Sequence, residues 1–241
     1  MESSDHSPTP LTFGSRLRDW LGTKVPRHVF SRLPRVLARI PHEPQSKVLS
    51  LTFDDGPHPT GTPVLLDLLR EFDITATFFL VGERARRWPE LVRDILVEGH
   101  EIGNHSWSHA DFWKCSKTRL LQELSRCQHE LEQISGAPVR WMRPPYGHVI
   151  YTARAWARRH NSTIVLWDLL PPDYNPASNL SRLKQVYQRH VRPGSVVCLH
   201  DNDASRKITP QFLREIIPEA RQTGWNFQRL CLYSDPFSNQ A

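Results

Sequence analysis

From Lys47 onward the chain alternates short runs of apolar, β-branched and aromatic residues with longer stretches in which apolar residues recur every three or four positions. The first pattern predicts strands and the second helices, and their alternation predicts parallel strands joined by helical crossovers. Strands are expected near 47–53, 76–81, 100–103, 140–143, 162–167, 195–200 and 226–230. Helices are expected near 84–97, 116–134, 151–160, 179–191 and 208–223. A further helix starts at Thr62, read as its cap, with Pro63 at the first position and Val64, Leu65, Leu68 and Leu69 on one face. Seven such strands predict an α/β fold, a closed or nearly closed (β/α) barrel, whose strand C-terminal ends gather the site.

The first 45 residues break this pattern, so residues 1–45 are read as an extension and 46–241 as the barrel domain. Trp20, Leu21, Val29, Phe30, Leu33, Val36, Leu37 and Ile40 are mixed there with bases and interrupted by Pro26, Pro34 and Pro41. Short amphipathic helices broken at the prolines would fit, packed against the barrel. The alternative is that residues 11–40 lie peripherally on an anionic membrane surface.

Charge sharpens that picture. The formal excess of +6 falls wholly between Leu11 and Ile40, where seven bases face the single acid Asp19. The remainder is neutral, so a nucleic-acid groove across the barrel is not expected. A hydrophobic content of 39% with 23% charged residues describes a globular chain. No apolar run spans a bilayer, and the polar start Met1-Glu2-Ser3-Ser4-Asp5-His6 is not a signal peptide, so a cytoplasmic monomer is expected. Cys115, Cys127, Cys198 and Cys231 show no metal-like spacing and read as buried thiols of a reducing compartment.

Polar residues fall where the predicted strands stop. Leu51-Thr52-Phe53 runs into Asp54-Asp55-Gly56-Pro57. Neighbouring strand residues point to opposite faces, so two adjacent carboxylates serve one site only where a strand ends, and Gly56-Pro57 supplies that end. His105 and His109 are four apart after the third strand. Two imidazoles and a carboxylate make a three-ligand metal site that leaves positions open. Arg143-Pro144-Pro145-Tyr146-Gly147 follows the fourth strand, Asp168 and then Asp173-Tyr174 the fifth, and His200-Asp201 ends the sixth.

In this order, Thr52-Phe53-Asp54-Asp55-Gly56-Pro57, His105-Ser106-Trp107-Ser108-His109, Arg143-Pro144-Pro145-Tyr146-Gly147, Asp173-Tyr174 and Leu199-His200 resemble the polysaccharide deacetylases of the nodulation-factor chitooligosaccharide deacetylase type, carbohydrate esterase family four. The resemblance covers about residues 47–232. It implies a distorted seven-stranded (β/α) barrel and metal-dependent removal of acetyl groups from sugars, with an N-acetylated amino-sugar oligomer or glycoconjugate as substrate. A carbohydrate O-acetyl ester, or sugar binding without catalysis, is the alternative. By this resemblance Asp55, His105 and His109 hold one divalent metal, Zn2+ first and Co2+, Ni2+ or Mn2+ otherwise. Asp54 is the general base, oriented by Arg143, and His200 is the general acid, held by Asp173. The Tyr146 N–H completes the oxyanion site, and Tyr174, Leu199 and Pro145 line the substrate pocket. Tyr174 stands where the family usually has Trp, which leaves Asp168 as a second choice of partner for His200.

Overall fold

The computed structural model describes residues 35–230. Strands β1 (Val36–Leu37), β2 (Val48–Asp54), β3 (Thr77–Leu80), β4 (Glu101–Asn104), β5 (Trp141–Met142), β6 (Thr163–Val165), β7 (Ser195–His200) and β8 (Asn226–Phe227) join one sheet. Helices α1 (Gly61–Glu71), α2 (Gly82–Arg87), α3 (Pro89–Val97), α4 (Lys117–Ser135), α5 (Tyr151–Arg159), α6 (Leu180–His190) and α7 (Ile208–Gln222) connect them. The sheet order is β1-β6-β5-β4-β3-β2-β7, with every pairing parallel, and β8 sits beside the start of β2. This seven-strand path wrapped by helices is a distorted (β/α) barrel, and all its strands point their C-terminal ends to one rim.

The seven strands on that path are not the expected seven. Asn226–Phe227 is a two-residue appendage, and its place on the path is taken by β1, from the segment assigned to the extension. Val36, Ala38 and Ile40 are buried while Arg35, Leu37 and Arg39 are half-buried, a period of two and therefore a strand face where helices were expected. β1 pairs with β6, Arg39 bridges to Ser195, and the Ile40 N–H donates to the Gly194 carbonyl at 2.9 Å. Together with the Leu169–Val197 bridge, this segment spans the gap between β6 and β7.

Burial on both sides explains the continuous apolar reading of β2, all seven of whose residues are buried. Leu49, Leu51 and Phe53 pack outward against α1, α6 and α7 with Leu65, Leu183 and Phe212. Val48 faces inward, in a barrel interior that holds Ile40, Phe79, Trp141, Val165 and Val196. The helix expected over 84–97 is two helices, because Pro89 at the first position of α3 keeps Trp88 out of the helical conformation, at φ −133° and ψ 64°. Helix α1 also starts before Thr62, at Gly61. Its Thr62 hydroxyl accepts from the His58 N–H at 2.7 Å and donates to Asp201 instead of capping. Val64 is 45% exposed and Leu66 takes its expected place in the core.

Candidate active site

The rim assembles from five strand ends, those of β2, β4, β5, β6 and β7. β2 finishes at Asp54, and Asp55 then takes a left-handed backbone conformation, φ +74°, which Asp tolerates better than most residues. That turn defeats the alternation of a strand: an oxygen of Asp54 and one of Asp55 lie 3.8 and 3.6 Å from the same atom, Nε2 of His105. Among the described residues seven non-glycines have positive φ, and Asp55, Ser106, His109 and Tyr146 of these gather at the rim. Clustering of such conformations is expected where side chains must be re-aimed for function.

His105 is buried, and its Nδ1 lies 2.7 Å from the Arg143 main-chain oxygen. A carbonyl only accepts, so Nδ1 carries a proton, and Nε2 is turned toward Asp55. His109 brings its Nε2 to 3.1 Å from Asp55 Oδ1. Asn202 donates to the other Asp55 oxygen at 2.7 Å. Burial opposes ionisation of Asp55, but the hydrogen-bonding and charge of His105 and His109 outweigh it and hold its carboxyl well below the usual range. Asp55 Oδ1 is nevertheless a buried oxygen without a well-formed hydrogen bond. An orphaned carboxylate oxygen facing two Nε2 atoms, all within 4.8 Å of one another, fits a divalent cation.

Beside this triad stands a second polar layer. Arg143 is fully buried, not a rim residue: Nη1 donates to Asp54 at 2.6 Å and to Thr52 at 2.8 Å, and Nε and Nη2 donate to the carbonyls of Val165 and Leu166 at 3.1 Å each. Its guanidinium lies 4.1 Å from the Phe79 ring centre, so the interior cluster supports it from below. His200 Nδ1 is 2.8 Å from Asp173, which also accepts from the His200 N–H at 2.8 Å and from Thr209 at 2.7 Å. Burial works to lower the His200 pKa, but the Asp173 charge and hydrogen bond, helped by Asp54 and Asp55, raise it to about 9. Asp168 is not the partner of His200; it binds Arg192, Ser195 and the Val196 N–H at the β6–β7 gap.

Tyr146 and Tyr174 flank the two layers. The Tyr146 ring lies 4.9 Å from that of His109, and the Tyr174 ring 5.4 Å from that of His200. Pro145 is buried at the head of the turn Pro145–Gly147, where a side chain on Gly147 would meet the Trp167 ring at 2.9 Å. Leu199 does not face the site. It is wholly buried among the outward residues with Phe53 and Val197, because it is one residue out of phase with His200. Cys198 has the site face instead, and its Sγ donates to Asp54 Oδ2 at 3.3 Å. Burial, with the Asp54 charge, pushes the Cys198 thiol well above its ordinary value, so it serves Asp54 as a donor. The period-two phase from His200 was the signal that would have found it.

The polysaccharide deacetylase family model matches residues 42–165, half of the chain, and the protein belongs to that family. A Bacillus cereus protein named peptidoglycan-N-acetylglucosamine deacetylase is 36% identical over 75% of this chain and 85% of its own length. Of another of that name from the same species, 33% identical over 76% of this chain, the chain spans 66% of the length. A Bradyrhizobium chitooligosaccharide deacetylase is 32% identical over 75% of this chain and 87% of its own. Among solved structures, the Bc1960 peptidoglycan N-acetylglucosamine deacetylase superposes with a TM-score of 0.78 at 30% identity, covering 83% of this chain and 92% of that one.

Proposed function

We propose that the protein is a metal-dependent deacetylase that hydrolyses the acetamide of an N-acetylated amino-sugar oligomer or glycoconjugate. The observation that carries this reading is the placement of the Asp55–His105–His109 triad beside two separately supported groups, Asp54 on Arg143 and His200 on Asp173. Two nitrogens and a carboxylate suit Zn2+, with Co2+, Ni2+ or Mn2+ as alternatives. A cation held there supplies Lewis acidity that makes water a nucleophile at neutral pH.

The remaining work falls to the chain's own residues. Asp54, clamped through one oxygen by Arg143 and through the other by Cys198, takes the proton of the attacking water. The Tyr146 N–H donates to the oxygen of the tetrahedral intermediate, a kind of contact worth about 3 kcal/mol. An amine leaves only when protonated, and His200, with a pKa of about 9, holds that proton at neutral pH and delivers it. Tyr174 borders the place of the acetyl group, and Pro145 stiffens the turn that carries Tyr146. A pure binding module has no use for a buried base clamp and an imidazolium side by side.

The test is turnover of metal-reconstituted protein on N-acetylglucosamine oligomers, peptidoglycan fragments and acetylated xylan. Acetate release from the first two, and a loss of about 10² to 10⁴-fold in Asp54→Asn with metal content retained, is the expected result. Release from acetylated xylan alone would make the protein an O-acetyl esterase. No release from any of them would leave the deacetylase reading without support.

A further inference from the structure

Six large apolar side chains are exposed among the described residues, and they divide by position. Val64 lies within α1 and Val97 ends α3, whereas Trp113, Tyr146 and Tyr174, 59%, 57% and 40% exposed, lie between a strand's C-terminal end and the helix that follows it, and Tyr151, 82% exposed, is the first residue of α5. Every exposed aromatic of the described chain is thus on the face that carries the site. Tyr174 stands beside His200; the others follow β4 and β5, on the side of the metal triad.

On that side the rings form a continuous row. His109 lies 4.9 Å from Tyr146, Tyr146 lies 5.6 Å from His148, and His148 lies 3.6 Å from Trp113 at an interplanar angle of 2°. The outermost pair is held in place. Asp111 accepts from the Trp113 N–H at 3.0 Å and binds His148 Nδ1 at 2.7 Å, so one carboxylate fixes both members of the stack. An indole backed on one face and still mostly exposed is an apolar plate kept in water, which costs free energy unless a partner covers it.

We propose that Trp113, backed by His148 and Asp111, is a stacking platform for a second sugar of the substrate chain, so that the enzyme recognises a β-linked N-acetylated oligosaccharide by a unit beyond the one it deacetylates. The apolar face of a β-linked pyranose, with its axial C–H bonds, matches the exposed face of an indole, and its equatorial hydroxyls stay in water. The row from His109 through Tyr146 gives the chain a continuous path from the metal triad to the platform. This inference rests on the proposed function and narrows its substrate to an oligomer.

Two measurements test it. For the Trp113→Ala variant, the preference in kcat/KM for the N-acetylglucosamine pentasaccharide over the N-acetylglucosamine monosaccharide should fall about tenfold, through KM, the size of one aromatic stacking contact. Trp113→Phe should recover most of it. A merely structural Trp113 would lower both substrates in parallel, and that outcome overturns the proposal. Independently of any variant, the pentasaccharide should protect Trp113 of the wild-type protein from oxidation by N-bromosuccinimide, read by peptide mass spectrometry; an indole oxidised at the same rate with and without the sugar overturns it as well. Turnover of the oligomers without protection removes the platform and leaves the deacetylase standing. Absence of both turnover and binding on every oligomer removes both.

Discussion

His200 owes its proton to one neighbour. Burial alone would leave a neutral imidazole, and Asp173 reverses that by charge and by hydrogen bond, with Asp54 and Asp55 adding to it. Asp173→Asn should therefore lower the pKa from about 9, measured by NMR titration of the ring; a value still near 9 would assign the shift to other groups. Because the folded-state pKa is raised, the stability this pair contributes is full below pH 6.5 and is lost as the pH rises through about 9. The Asn variant should flatten that limb of the stability profile. The same proton separates two chemistries: His200→Ala should lose more turnover on an N-acetyl amide than on an acetyl ester of similar size, since an alkoxide is the better leaving group. Residue identities at this scale were legible wherever chemistry dictated the type, as at Asp54, His105 and Arg143. What escaped was direction. Leu199 and Cys198 differ by one step along a strand, and only the phase of the strand tells which meets Asp54.

At the scale of elements, the long amphipathic segments declared themselves and the short seam did not. Helix α4 is bounded by Ser116, whose Oγ accepts from the Arg119 N–H at 3.2 Å, and by Gly136 at φ +65°, signals visible in the sequence. By contrast, β1 has two paired residues, lies among arginines and sits between Pro34 and Pro41, so its period of two was lost in a window read for helices. Its energetic role is larger than its length. Ile40 is 2% exposed and packs inside the barrel with Val48 and Val196. Ile40→Ala should cost about 2 to 5 kcal/mol, measured by denaturant unfolding. A chain starting at Pro41 should melt well below one starting at Arg35, because it uncovers the edges of β6 and β7 together; equal melting temperatures would show that the seam carries no load. The membrane alternative is narrowed by the same observation, since Val36 to Ile40 are committed to the barrel and residues 1–34 lie outside the described part. No helix of the described residues is long and apolar enough to cross a membrane.

Across the whole molecule, the two ends of the barrel are held by different forces. The end where strands begin is closed by apolar packing and by β8 pairing with Val48 and Leu49. At the opposite rim, buried charge does the closing: Asp55 on the β2 end faces His105 and His109 from the β4 loop, and Asp173 from the β6–β7 connection holds His200. A divalent cation shared by Asp55, His105 and His109 would tie the β2 and β4 ends together and satisfy the orphaned Oδ1 of Asp55. Anything that binds the folded chain alone stabilises it by mass action, about 2.7 kcal/mol at a hundredfold excess over the dissociation constant. Adding Zn2+ to chelator-treated protein should therefore raise the melting temperature, and His105→Ala or His109→Ala should abolish the rise while His200→Ala keeps it. Hydrogen exchange locates the effect. Amides of residues 104–110 should slow on metal addition, while those of β8 and of the start of β2 stay unchanged, because local opening at one rim need not pass through the other. Protection spread evenly over both ends, or a rise in melting temperature that survives loss of both histidines, would mean that the cation acts somewhere other than this triad.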